Sequence, residues 1–80
     1  MARADVGERV GAILSANSEE VQLLGYGVYD GMFEHPEFEI PNPRITLDDG
    51  RVVWGVDCWW GKELAVKNKI GERRVVNAVL

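Results

Sequence analysis

An α+β fold is predicted for this chain. It is an antiparallel sheet of three or four strands with an N-terminal helix and a short second helix, in the order α-β-β-β-α-β. Three observations predict it. Residues 5–16 carry apolar side chains at helical spacing, residues 44–57 alternate apolar and polar about an Asp-Gly turn, and residues 62–70 end at a glycine helix stop. The chain has 80 residues and makes one domain, 1–80. A chain this short buries only about 60–65% of the surface its unfolded form exposes, so its core is thin and each large apolar side chain counts.

The first element is read from DVGERVGAILSA, residues 5–16. Val6, Val10, Ile13 and Leu14 recur at i, i+4, i+7 and i+8, which lines them up on one helix face. Asp5 followed by Glu8 resembles a capping box with Asp as the cap. Gly7 and Gly11 weaken the helix by about 1 kcal/mol each, so it depends on the rest of the fold. Residues 21–29, VQLLGYGVY, read as a strand, and Asp30-Gly31 as a turn. Gly25 and Gly27 share a strand face and leave a trough, which a neighbouring ring or a ligand should fill. GYGVYDG is not a phosphate loop, because it lacks the G-x-G-x-x-G spacing and lies inside a strand.

Residues 32–43, MFEHPEFEIPNP, carry all three prolines and read as a long ordered loop pinned by Phe33, Phe38 or Ile40. RITLDDGRVVWGVD then reads as a hairpin. A two-residue Asp49-Gly50 turn sets Asp48 opposite Arg51, Leu47 opposite Val52, Ile45 opposite Trp54 and Arg44 opposite Gly55. That register puts Ile45, Leu47, Val52, Trp54 and Val56 on the core face, with an Asp48–Arg51 cross-strand ion pair. A three-residue loop would set Thr46 opposite Val52 and mix the faces. Continuing the alternation assigns Cys58 and Trp60 to the core and Trp59 to the other face, with Asp57, Thr46 and Arg44. A bulge after Gly55 would exchange Trp59 and Trp60. Residues 62–70 form the short helix, and 73–80 (RRVVNAVL) the last strand.

Composition narrows the function. Net charge is −4, with nine Lys and Arg against 13 Asp and Glu, and the only basic cluster is Arg73-Arg74. Duplex nucleic acid is excluded as a partner on this reading, since phosphate contacts dominate such binding. A single cysteine allows no internal disulfide and fits a cytoplasmic protein. There is no run of about 18 apolar residues to cross a membrane and no basic–apolar leader pattern. Cys58 as a nucleophile would need a base, and nothing in the sequence brings His35, the only histidine, to it, so an inert buried thiol is the plainer reading. Glu34, His35, Glu37 and Glu39 read as a solvated acidic loop, not a metal site. No catalytic residue, metal or cofactor is expected.

The candidate binding residues are Arg44, Asp57, Trp59, Tyr26, Tyr29 and Asn42. Arg44 supplies a guanidinium fork for a carboxylate or phosphate, Asp57 and Asn42 polar groups, and the aromatic rings stacking planes. Together they suit a flat polar ligand such as a nucleotide. The competing reading is an Arg44–Asp57 surface pair without a ligand. GYGVYDG, IPNPRI, LDDGRVVWG and CWWG, spanning about residues 21–62, together resemble a group of small proteins of bacteriophages and bacterial mobile elements. In that group the acidic residue before the double Trp often has cysteine on both sides, whereas here Val56 precedes Asp57 and only Cys58 remains. The resemblance implies a phage-like accessory protein in the host cytoplasm, a kind that commonly inhibits a host protein or sequesters a host signalling molecule. The expectation is a non-enzymatic protein that binds or sequesters a small polar, nucleotide-like ligand, as a homo-oligomer. The alternative is an acidic inhibitor that docks on a host protein. An enzyme is the weakest reading.

Overall fold

The computed structural model describes residues 4–80. Six strands and one helix follow in order: β1 (Arg9–Ala16), β2 (Glu20–Glu34), β3 (Pro41–Leu47), β4 (Val52–Trp54), a 3-10 turn (Gly55–Asp57), β5 (Trp59–Lys62), α1 (Glu63–Ile70) and β6 (Arg74–Asn77). This overturns the two-helix α-β-β-β-α-β order. The chain is mostly antiparallel sheet, in the order β4-β3-β2-β1-β5, and β6 pairs parallel with β2.

The N-terminal segment is a strand because both its faces are covered. Val10 and Ala12 enter the main core, while Ile13 faces a second cluster built with Val66 and Ile70 of α1. A strand buried on both faces shows a continuous apolar run instead of alternation, and such a run is easily taken for a helix. The Asp5/Glu8 signal is real but local. The Asp5 N–H donates to Glu8 Oε1 and the Glu8 N–H to the Asp5 carbonyl, each at 2.9 Å, closing a turn that feeds β1. Gly11, costly in a helix, is needed in the strand, since a Cβ there would sit 2.9 Å from both the Tyr26 ring and Val66.

β2 is the central strand. One edge pairs with β1, and the other is shared by β6 at Glu20–Leu23 and β3 at Gly27–Glu34. Register shifts at Leu24 and at Asp30 bend it between these roles. Asp30-Gly31 is thus a bulge inside the strand, not a turn, with Gly31 at φ +103. The trough at Gly27 is filled by the protein itself: a Cβ there would lie 2.1 Å from the Thr46 carbonyl oxygen and 2.6 Å from Leu47 Cα. β3 begins at Pro41, inside the segment expected to be a loop. β4 pairs only with Arg44–Thr46, so Pro41 and Pro43 lie beyond its end and cost no bond to it.

The hairpin has the three-residue loop. Arg44 faces Trp54, Ile45 faces Val53 and Thr46 faces Val52. Gly50 takes φ +91 behind a turn closed by Gly50 N–H to the Leu47 carbonyl at 2.9 Å. The one-residue slip sends Val53 into the core with Ile45 and Leu47, and moves Val52 and Trp54 to the outer face. The expected Asp48–Arg51 pair is absent: Asp48 binds Arg9, and Arg51 binds Asp49. The 3-10 turn then resets the phase. Trp60 is buried, stacked on Tyr29 at 5.0 Å between centroids, and Cys58 packs partly against the core.

Close approach and positive φ are separable by mutation. Gly27→Ala should destabilise by about 3 kcal/mol or more, because β3 backbone must move. Gly50→Ala, with nothing within 4 Å, should cost only the about 1 kcal/mol of left-handed strain. Urea denaturation measures both, and equal losses would contradict the close-packing account.

Candidate functional site

The strand registers sort the side chains onto an inner and an outer face. Tyr29, on the inner face, is buried core. Tyr26, Asn42, Arg44 and Trp59 lie on the outer face, but at different ends of it. Trp59 pairs opposite Ile13 and, 38% exposed, has Lys69 Nζ 4.7 Å above its ring. Tyr26 lies over Gly11 with Lys67 Nζ 5.6 Å from its centroid. Helix α1 therefore takes both rings as its own packing surface. Asp57 lies exposed in the 3-10 turn. The sequence-derived set is thus spread out, and only Asn42 and Arg44 lie together, on β3.

Around Arg44 a different group assembles. Its Nε donates to Asp30 Oδ2 at 3.0 Å, Thr46 Oγ1 donates to the same oxygen at 2.6 Å, and the guanidinium lies over the Phe33 ring at 3.7 Å. The Arg44–Asp57 pair considered from the sequence is not made, because the bulge at Asp30 turns its carboxylate toward Arg44. Trp54 stands opposite Arg44 across the β3–β4 ladder, and His35 packs edge-on against both Trp54 and Phe38. The Glu37 N–H donates to His35 Nδ1 at 3.0 Å, which leaves the proton of the neutral ring on Nε2. Asn42 is buried, its Nδ2 donating to the Ile40 carbonyl at 3.0 Å, so it shapes the loop into β3. Asp30, Phe33 and His35 are missed in sequence because Asp30-Gly31 reads as a turn and the proline segment as a loop, and Trp54 because a two-residue hairpin register places it on the core face.

Between the two ends of the outer face runs a ladder of ion pairs. Arg9 donates to both oxygens of Asp48, at 2.6 and 2.8 Å, and to Glu63 at 3.2 Å; Glu63 also meets Lys67 at 3.1 Å. The hydrogen bonds from Arg9 hold the Asp48 carboxyl below its usual range, and those from Lys67 and then Arg9 do the same for Glu63. Beyond the hairpin tip is an open groove of about 440 Å³, between β6 and the tip, where Leu24–Tyr26 of β2 has neither β6 nor β3 beside it. Arg51 closes this break in the ladder, donating to the carbonyls of Leu24 at 2.6 Å and Ala78 at 3.2 Å.

Among the described residues no group of three or more His, Cys, Asp or Glu side chains is placed to hold a metal ion, and no helix is long and apolar enough to cross a membrane. The Cys58 thiol donates to the Trp54 carbonyl at 3.3 Å. Comparison with known proteins finds no matching family model, no matching curated protein and no matching solved structure.

Depressed carboxyl pKa values add stability above the ordinary carboxylate range, and it is lost as pH falls through the lowered folded values. The Arg9 pairs therefore contribute at neutral pH and vanish in acid. Arg9→Met should lower Tm at pH 7 but by progressively less below about pH 4, so the Tm-against-pH curves of the two proteins converge. Parallel curves from pH 7 to 2 would show that Arg9 is not coupled to these carboxylates.

Proposed function

We propose that this is a non-enzymatic binding protein whose outer β2–β3–β4 face takes a flat polar ligand bearing a carboxylate or phosphate, such as a nucleotide. The observation that carries the reading is the state of Arg44. Its Nε is fixed by Asp30 and its plane lies over Phe33, while its terminal nitrogens bond no described residue. A guanidinium held in this way offers a bidentate fork with much of its rotamer entropy already lost. The outer plane of this guanidinium, with Phe33 beneath it and Trp54 opposite, supplies a surface on which a ring can stack. The proposed contact residues are therefore Arg44 with Asp30, Phe33 and Trp54, supported by Asn42; Tyr26, Trp59 and Asp57 stand outside this group. The face is open, so a single copy gives modest affinity, and an oligomer or a covering partner would raise it. An accessory role in a host cytoplasm, of the kind the phage-like motifs imply, is compatible with such a sequestering protein.

A second reading has its own observation. Phe38 and Ile40, 45% and 70% exposed, stand among the exposed Glu34, Glu37 and Glu39. Apolar anchors with an acidic rim suit docking on a basic protein surface, as an inhibitor would dock.

Calorimetry against a panel of nucleotides and dicarboxylates tests the first reading. Arg44→Ala should weaken the binding seen in wild type by about tenfold or more, while Trp59→Ala leaves it within about twofold. If no panel member binds wild type, or if Arg44→Ala binds equally well, the Arg44 reading is lost and protein docking becomes the better account.

A further inference from the structure

We propose that β6 is a self-association edge, to which a second copy of this chain adds its own β6 in antiparallel register about a two-fold axis at Val76. This goes beyond the ligand-binding reading and does not depend on it. Among the described residues β6 pairs with β2 alone. The Arg74 N–H donates to the Glu19 carbonyl at 3.0 Å and the Ala78 N–H to the Leu23 carbonyl at 2.8 Å. In a parallel ladder the N–H and C=O of one residue face the same side, and successive residues face opposite sides. Residues 74, 76 and 78 thus face β2, and the backbone groups of Val75 and Asn77 face outward.

That edge lacks the usual protections. Residues 74–77 contain no proline, lysine or bulge, and the one charge, Arg74, is turned onto Glu20. Val75 and Val76, on opposite faces of the strand, are 45% and 37% exposed. An added strand would pair the outward backbone groups and cover both valines.

The edge is self-complementary, so the proposed occupant is a second copy. Outward residues must meet outward residues as hydrogen-bonded pairs, and the register centred on Val76 meets this rule, with Val75 opposite Asn77 of the second copy and Asn77 opposite its Val75. Val76 then faces its own counterpart at the axis, with apolar side chains in contact. Arg74 of the second copy arrives opposite Ala78, on one wall of the groove whose other wall carries Asp48 and Asp49. No like charges are opposed, although the whole chain carries −4. Arg73 is occupied elsewhere, donating to the carbonyls of Ile70, Asn17 and Lys69 and so fixing the start of β6 against α1 and the β1–β2 turn.

The test is sedimentation velocity at roughly 5–500 µM, since an edge this short makes a small, reversible interface. Wild type should show a concentration-dependent monomer–dimer equilibrium. Val75→Pro removes only an outward N–H and leaves the bonds to β2 in place. It should raise the dimer dissociation constant by about tenfold or more with an unchanged circular dichroism spectrum. Val76→Asp, which opposes two carboxylates at the axis, should do the same and decides the matter if the proline variant misfolds. Arg44→Ala should dimerise like wild type. The proposal is overturned if wild type stays monomeric throughout. It is equally overturned if the dimer survives Val76→Asp, or if Arg44→Ala abolishes it, since the contact would then lie on another face.

Discussion

The break in pairing along β2 is the constraint on which the rest of the structure depends. One strand of 15 residues serves β1 on one edge and both β6 and β3 on the other. A regular strand could not do this while keeping one face inside. The extra residue at Leu24 sends Leu23 to the α1 side and Leu24 to the main core. Gly25, at φ +147, follows it, and Gly27 lets the β3 backbone come closer than any side chain would allow. The carbonyl left over at Leu24 is taken by Arg51, which also holds the carbonyl of Ala78. An arginine at the end of the hairpin thus ties the two strands that share an edge, where an unpaired buried carbonyl would cost about 1–3 kcal/mol.

The same bending divides the outer face. At the β1–β5 end α1 covers the sheet, with Val66 and Ile70 buried and the lysines Lys67 and Lys69 over Tyr26 and Trp59. At the β3–β4 end no helix among the described residues covers it; Phe33 is exposed there, and Arg44 and Trp54 are half-buried. The Arg9 ion pairs lie between. Because the helix occupies one end, the uncovered side chains of this face lie toward the other. Trp59, conspicuous in sequence, is a helix-packing residue, and the less conspicuous Asp30 and Phe33 are what hold Arg44 in place.

Much of the chain was legible because the signals were local. The short helix before Gly71 lies at Glu63–Ile70, and the strand containing GYGVY, the Asp-Gly hairpin and the final strand are all present. Trp60 lies in the core and Trp59 outside it. The errors came where one residue of phase or one layer of cover decided the outcome. The hairpin took a three-residue loop because mixing the faces is harmless when Val53 can fill the core and the outer face tolerates Val52 and Trp54. The 3-10 turn then restored the phase for Trp60. The first segment reads as a helix because its two buried strand faces imitate a helical stripe. Only Arg44 and Asn42 of the candidate site stayed together, since adjacency in one strand survives a register error and adjacency across strands does not.

Sequence by itself determined the local events: the Asp5/Glu8 turn, the Asp49-Gly50 reversal and the Gly71 helix stop. These depend on dihedral preference and on hydrogen bonds a few residues apart. Tertiary structure alone decided that residues 9–16 extend as a strand, which face each tryptophan took, and that Asp30 rather than Asp57 meets Arg44. Those outcomes depend on what covers a segment from outside and on bulges that shift register, and neither is written in the spacing of the residues concerned.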